Sequence, residues 1–323
     1  MSKTRPTLHI FGGGPLVGIS EEIAIRSGWS VIFRTGERFM NSIPKLDSST
    51  KVLVGNDLAS LMVEGGAPIA GDYGISISAP WIFSQEVIDM FCGELFNLHN
   101  QPLPKFRGGG GASWPILMGE RSGGCCIHRL VREVDAGEIF ARRDFSFPDD
   151  AMLPVDFDKF SIEQAKSLLR EWLPRLLQER SPGSVIESDD SDYEYWPRLN
   201  TEIHGWIDWS WGLEDIFKFC NAFSDPFVGA RTLINGVVVE IREVAVDLSK
   251  NFHPYQNGMV FRISDGFHVA HRDGILKIID LHFFESSVKI TNGDRFFTPQ
   301  ALLEQAALRR IQYSPSGKVI DLK

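Results

Sequence analysis

At 323 residues the chain exceeds what one hydrophobic core commonly supports, so two domains are expected. Hydrophobic residues at 43% and charged residues at 23% match ordinary globular composition and exclude a disordered or fibrous chain. A formal charge of -9 and a pI near 5.4 weigh against nucleic acid as a partner, because phosphate backbones are bound through Lys and Arg.

Leu8 to Phe11 is a short apolar run ending in Gly12, Gly13 and Gly14, and Ser20 to Arg26 has helical spacing with Ser27-Gly28 as a stop, which makes a βα unit. Strands are predicted at Ser30 to Arg34, Lys51 to Val54 and Ile75 to Ser78, with helices at Asp57 to Val63 and Ser84 to Phe91 between them. That alternation predicts an α/β, Rossmann-like, doubly wound and mostly parallel sheet covered on both faces. The glycines after the first strand do not complete G-x-G-x-x-G, and Pro15 removes a donor, so a dinucleotide site is not expected there.

Glu94 to His99 reads as a strand with a polar end, followed by a turn stiffened by Pro102 and Pro104 and then by the glycines from Gly108 to Gly111. Ala112 to Met118 is a predicted helix, and Gly124 to Leu130 and Glu138 to Asp144 are strands joined through Glu133-Val134-Asp135-Ala136-Gly137. Ser161 to Arg180 carries the strongest helical periodicity, with Ser161 as its expected cap and a kink expected at Pro174.

Pro182, Gly183 and the acidic run from Glu187 to Asp192 have linker composition, which places a catalytic domain at 1–183, a linker at 184–200 and a second domain at 201–323. In that second domain Leu213 to Phe223 reads as helical, and Val237 to Val244, Met259 to Ile263, Phe267 to His271 and Ile275 to Leu281 are short strands. Asn257-Gly258, Asp265-Gly266 and Asp273-Gly274 punctuate them, as in a small antiparallel, OB-like barrel. Cys92, Cys125, Cys126 and Cys220 fit neither a zinc site nor a disulfide framework, so no metal is expected. With no apolar stretch long enough for a signal core or a bilayer span, a cytoplasmic protein without a membrane partner is expected.

The segment Asn97-Leu98-His99-Asn100-Gln101-Pro102-Leu103-Pro104-Lys105-Phe106-Arg107-Gly108 resembles the N-x-H-x-x-x-L-P-x-x-x-G stretch of the folate-dependent formyltransferases, with Asn100-Gln101 where that family usually has Pro-Ser. Gly119-Glu120, the strand with His128, and Asp135-Ala136-Gly137-Glu138-Ile139 follow in that family's order, and Tyr195-Trp196-Pro197-Arg198, Ile207-Asp208-Trp209 and Asp225-Pro226-Phe227 resemble the start of its second domain. The resemblance implies 10-formyltetrahydrofolate as co-substrate, with the pterin near Trp81, Ile82 and Phe83 and near Glu133, Val134 and Gly137. It implies an amine acceptor: a nucleotide-linked amino sugar, or in the family's other branch methionyl-tRNA. A non-catalytic folate- or sugar-binding relative is the third reading, and a homodimer is compatible with any of them.

The residue types fit acyl transfer on their own chemistry. Asn97 can donate an amide N–H to an oxyanion, His99 can donate to the same oxygen or relay the amine's proton near neutrality, and Asp135 can hold the imidazole and its developing charge. A spacing of i, i+2 puts Asn97 and His99 on one face of a strand, at the carboxyl end where open α/β sheets bind ligands. Lys105, Arg107, Gly108 and Gly109 are candidates for two phosphates of an acceptor. His128, between apolar neighbours, reads as a hydrogen-bonded core histidine with no chemistry of its own. The cluster Arg129, Arg132, Arg142 and Arg143 reads as a solvated face.

Overall fold

A computed structural model describes residues 5–109, 111–187, 193–284 and 289–322. Gly110 and Ser188 to Asp192, the tip of the expected glycine loop and most of the acidic run, lie outside the described residues.

The first sheet is built by β1 (Thr7–Gly12), β2 (Ser30–Thr35), β3 (Lys51–Val54), β4 (Tyr73–Ile77) and β5 (Leu95–His99), with α1 (Leu16–Arg26), α2 (Leu58–Gly65) and α3 (Gln85–Asp89) between them. A two-residue strand β6 (Arg107–Gly108) and helix α4 (Ser113–Met118) precede the hairpin of β7 (Ser122–Arg129) and β8 (Ile139–Ser146). The order is β3-β2-β1-β4-β5-β7-β8: the first five strands are parallel, and the hairpin adds β7 antiparallel to β5. Strands β1 and β4 are buried almost throughout, as strands covered on both faces must be.

Helix α5 (Pro154–Glu179) joins α1 over one face, around Leu8, Ile10, Ile75, Leu169, Trp172 and Leu173. On the other face α2 and α3 pack Leu61, Met62, Val87 and Ile88 against Phe11 and Phe91. Helix α1 starts at Leu16, a turn earlier than its spacing indicates, behind Pro15, whose missing N–H is no loss at that end.

Ser161 is not a cap. It lies buried inside α5, which begins at Pro154; Asp156 accepts from the backbone N–H groups of Met152 and Leu153 at 3.1 and 3.0 Å and so caps the helix from within its first turn. Pro174 sits within the continuous helix.

After β9 (Tyr195–Trp196) and the short α6 (Thr201–His204), helix α7 (Leu213–Ala222) packs on β10 (Ala230–Ile234), β11 (Val237–Asp247), β12 (Val260–Ile263), β13 (Phe267–His271), β14 (Gly274–Phe283) and β15 (Phe296–Phe297). These form an antiparallel sheet in the order β12-β13-β14-β11-β10-β15. Val260 N–H donates to Asp294 O at 2.8 Å and Phe296 N–H to Gly258 O at 2.9 Å, so the sheet's two edges meet and it curls into a small barrel. Helix α8 (Gln300–Leu308) and the hairpin β16 (Arg310–Tyr313) with β17 (Val319–Leu322) complete the described chain.

The stretch read as a linker is tied down on both sides of its undescribed part. Ile186 N–H donates to Ile139 O at 2.7 Å, β9 runs parallel to β6, and Trp196 lies 4.9 Å from Trp114. Trp209 is a core residue of the second sheet, stacked on Phe296. No helix among the described residues is long and apolar enough to cross a membrane.

Candidate active site

Strand β5 ends in the open crevice at the carboxyl edge of the sheet, and its alternation buries Phe96 and Leu98 while Asn97 and His99 share the other face. Across the β5–β7 pairing Asn97 stands opposite His128, and His99 opposite Cys126. The loop after β7 brings back Asp135, whose backbone is left-handed with φ 53°. Its carboxylate comes 3.7 Å from His99 Nδ1 and 3.5 Å from His128 Nε2, and accepts from Gly108 N–H at 3.0 Å. Gly108 itself has φ 100°, and a Cβ there would lie 2.7 Å from the carbonyl of Trp196, so only glycine lets β6 and β9 close on the site.

These contacts fix proton positions. His99 Nε2 faces the carbonyl of Phe106 at 3.2 Å, and a carbonyl only accepts, so Nε2 carries the hydrogen and Nδ1 is left as the basic nitrogen beside Asp135. His128 Nδ1 faces the carbonyl of Arg129 at 3.0 Å, so in the neutral ring Nε2 accepts from Asn97 Nδ2 at 3.1 Å. That bond turns the Asn97 amide one way and leaves its second N–H without a partner among the described residues.

Burial pushes the pKa of His99 below its ordinary 6.5, with Asp135 working the other way, so His99 is neutral and basic at neutral pH. Burial alone would raise Asp135. Its neighbours His99 and His128 and the Gly108 N–H together outweigh that, and hold the carboxyl below the usual carboxylate range.

His128 is therefore buried and hydrogen-bonded, as the sequence indicates, yet it also touches Asn97 and Asp135, the contact that sequence alone did not reveal. Its position opposite Asn97 depends on the strand pairing, for which the residue pattern carries no signal.

Two cavities flank the Asp135 loop. One, of about 250 Å³, is lined by Leu103, Arg107, Asp135, Gly137 and Ile186; the other, of about 430 Å³, by Ile88, Asp89, Cys92, Arg129, Arg132 and Glu133. Trp81 and Phe83 are buried in the core beneath α2 and α3, with Trp81 Nε1 donating to Asn56 O at 3.1 Å, while Ile82 is 71% exposed; none of the three lines either cavity. Val134 is exposed on the loop. Of the phosphate candidates, Lys105 is exposed, Arg107 stacks on Tyr193 at 4.6 Å, and Gly109 lies under the side chain of Arg198. The basic cluster is largely paired: Arg129 with Glu138, Arg142 with Asp144 and Arg143 with Glu171. The glycines after β1 are filled by protein, since a Cβ on Gly13 would lie 2.6 Å from the Phe39 ring and one on Gly12 would lie 1.9 Å from the carbonyl of Ile77.

In comparisons with known proteins, the chain is 28% identical over 214 residues to methionyl-tRNA formyltransferase of Lactococcus lactis subsp. cremoris (strain MG1363), a match that spans 65% of each chain. The chain thus spans less than two thirds of the length of the curated relative it matches. The fold is shared with the N-formyltransferase of Helicobacter canadensis, crystallised with folinic acid and dTDP-3-aminofucose, at TM-score 0.64 and 16% identity over 86% of this chain and 100% of that one. It is shared also with HypX of Aquifex aeolicus in complex with tetrahydrofolic acid, at TM-score 0.56 and 17% identity, over 87% of this chain and 44% of HypX. The model of the formyl transferase family matches residues 38–150, which contain Asn97, His99, His128 and Asp135, and that of the formyl transferase C-terminal domain matches residues 201–297, the helix and barrel described above. With both modules matched in order across more than half of its length, this chain belongs to the formyltransferase family.

Proposed function

We propose that the protein transfers a formyl group from 10-formyltetrahydrofolate to the amine of a nucleotide-linked amino sugar, with Asn97, His99 and Asp135 as catalytic residues. The observation that carries this is the convergence of an amide donor, a neutral imidazole and an ionised carboxylate at one strand end. The second N–H of Asn97 holds the formyl oxygen as the amine adds to the carbon. The C–N bond to the sugar amine forms, the bond from the formyl carbon to N10 of the folate breaks, and the proton the amine loses is returned to N10. His99 Nδ1 carries that proton between the two, and while it does so the Asp135 carboxylate balances its charge.

The donor assignment is supported by the folate ligands of the Helicobacter and Aquifex structures. By the same resemblance the pterin uses the segment from Trp81 to Phe83 together with Glu133, Val134 and Gly137. The domain assignment, 1–183 and 201–323 about a linker, is part of the same reading, as is a cytoplasmic location. The sugar is favoured over tRNA by the likeness to a dTDP-aminofucose-bound enzyme over its whole length and by an excess of 42 acidic over 33 basic residues. The second reading, methionyl-tRNA formylation, rests on the Lactococcus relative.

The test is to supply 10-formyltetrahydrofolate with dTDP-, UDP- and GDP-linked amino sugars and with methionyl-tRNA at equal concentration, and to compare kcat/KM. A preference for tRNA above about tenfold, roughly 1.4 kcal/mol, sinks the sugar assignment. No transfer to any acceptor sinks the enzymatic one.

A further inference from the structure

We propose that Arg38 and Arg198, flanked by the C-terminal hairpin that carries Tyr313, form the binding site for the diphosphate of a nucleoside-diphosphate acceptor. This rests on the sugar-nucleotide reading above and specifies it: it puts the phosphates on the Arg198 side of Gly109 and not on Lys105 and Arg107.

Three remote segments build the site. Arg38 stands just past the carboxyl end of β2, in the 3-10 turn Glu37–Ser42, with its guanidinium 4.6 Å above the Phe39 ring. Arg198 follows β9 and lies along Gly109 so closely that a Cβ there would meet its Cγ at 2.0 Å. Its guanidinium is 5.8 Å from the ring of Tyr313, whose hydroxyl accepts from Asn200 Nδ2 at 3.1 Å. The hairpin reaches the sheet's carboxyl edge itself: a Cβ on Gly36 would lie 3.0 Å from the carbonyl of Pro315, and one on Gly317 would lie 3.7 Å from the stem of Arg38. Ligands of open α/β sheets bind at that edge.

Acidic residues outnumber basic ones, 42 to 33, and Arg129, Arg142, Arg143 and Arg231 each sit against a carboxylate. Among the described residues no ion pair or side-chain hydrogen bond engages Arg38 or Arg198, and the buried Nε of Arg38 has no partner. The pKa of Arg38 is lowered first by burial and then by the charge of Arg198, while Tyr313 works the other way. A dianion between the two forks opposes the repulsion between them while meeting their planar donors.

The bridge to catalysis is one dipeptide. Gly108 donates its N–H to Asp135 and the next residue, Gly109, carries Arg198, so phosphates held at Arg198 set an attached sugar toward His99. Two cations beside a hairpin, Arg38 half-buried and Arg198 exposed, match a diphosphate, whereas an RNA stem draws on many phosphate contacts spread over an open surface.

Titration calorimetry of the full chain with pyrophosphate and with dTDP, UDP and GDP tests the site without any turnover. We expect binding that Arg38→Gln and Arg198→Gln each weaken by about tenfold or more, the loss of a charge-assisted phosphate contact, while Arg175→Gln on α5 stays within about twofold. Folate binding, measured on the same samples, reports that the variants are folded. Wild-type protein that binds neither pyrophosphate nor any of the nucleotides in the millimolar range, or folded variants that bind them as wild type does, overturns the site. So does an RNA acceptor-stem hairpin that displaces the nucleotide and loses affinity in the same two variants. If diphosphate binding depends on both arginines but no sugar nucleotide is formylated, the site stands and the acceptor reading fails. If sugar nucleotides are formylated with KM unmoved in both variants, the acceptor reading stands and the site fails.

Discussion

Replacing Asp135 with Asn tests the proton logic of the site. The carboxylate lies 3.7 Å from His99 Nδ1, and at an effective dielectric of about 20 a unit charge at that distance stabilises the protonated ring by about 4 kcal/mol. His99 gains that proton as the amine adds, so losing the charge is expected to slow transfer by roughly a hundred- to a thousandfold. The amide keeps an oxygen for Gly108 N–H, so the loop has its brace. A second readout separates charge from shape. His99 must be neutral to act as base, and its pKa already lies below 6.5 because burial outweighs the Asp135 charge that raises it. Removing that charge lowers the pKa further. The acid limb of kcat/KM, followed with 10-formyltetrahydrofolate and a saturating amine, should therefore move to lower pH in Asp135→Asn even as the plateau falls. A rate within tenfold of wild type, or an acid limb that stays put or moves up, would refute the assignment of Asp135 as the partner of a proton-accepting His99.

His128→Gln should lower turnover by about ten- to a hundredfold with little change in folate binding, and should add nothing to the loss in Asn97→Ala, because His128 acts by turning the Asn97 amide; additive losses in the double variant would show that it does not. Burial and then the charge of Arg34 press the pKa of His9 down to about 4, so the folded protein binds fewer protons than the unfolded chain between that value and 6.5. That contribution is fully present above pH 6.5 and is lost as pH falls toward 4, about 3 kcal/mol in all, so urea melts should weaken between pH 7 and 4.5 in wild type and lose most of that slope in His9→Gln. Burial pushes the thiols of Cys125 and Cys220 up to about 12 and that of Cys126 higher still, whereas Cys92 is exposed, so a thiol reagent on native protein should label Cys92 alone before unfolding releases the rest.

What the sequence made legible follows from the range of the interactions involved. The parallel sheet was readable because each βα unit is local, with apolar runs and glycine stops that mark strand and helix where they stand. The first turn of α5 was missed because Asp156 caps it by reaching back to Met152 and Leu153, leaving no residue of cap type in front of Pro154. Strand β10 escaped because Arg231 interrupts its apolar pattern; the structure pairs it with Glu240 across β11, at 3.1 Å, with Glu240 buried. Asn97 and His99 were legible from spacing within one strand. Their partners were not, since His128 reaches Asn97 only through the β5–β7 register, and Arg38 and Arg198 come beside their hairpin neighbours, Gly317 and Tyr313, only when the C-terminal hairpin closes against both.

That closure bears on why a barrel accompanies the sheet. The proposed proton-handling groups belong to β5, β7 and the Asp135 loop, all within the first sheet, yet β6 is held by β9, and Arg198 leads from β9 toward the barrel. Tyr313 and Pro315, from the hairpin that follows the barrel in the chain, then meet Arg198 and the loop after β2. The hydrogen bond from Gly108 N–H to Asp135 costs little to hold while β6 is paired with β9, and it would loosen if β9 let go. The chain beyond the first sheet thus bears on the proposed chemistry through position: β9 keeps the loop that carries Gly108 and Gly109 in register with the Asp135 carboxylate, and the C-terminal hairpin brings up the charges proposed to hold the acceptor. A relative that kept the first sheet but changed the hairpin would, on this reasoning, keep its formyl donor and change what it formylates.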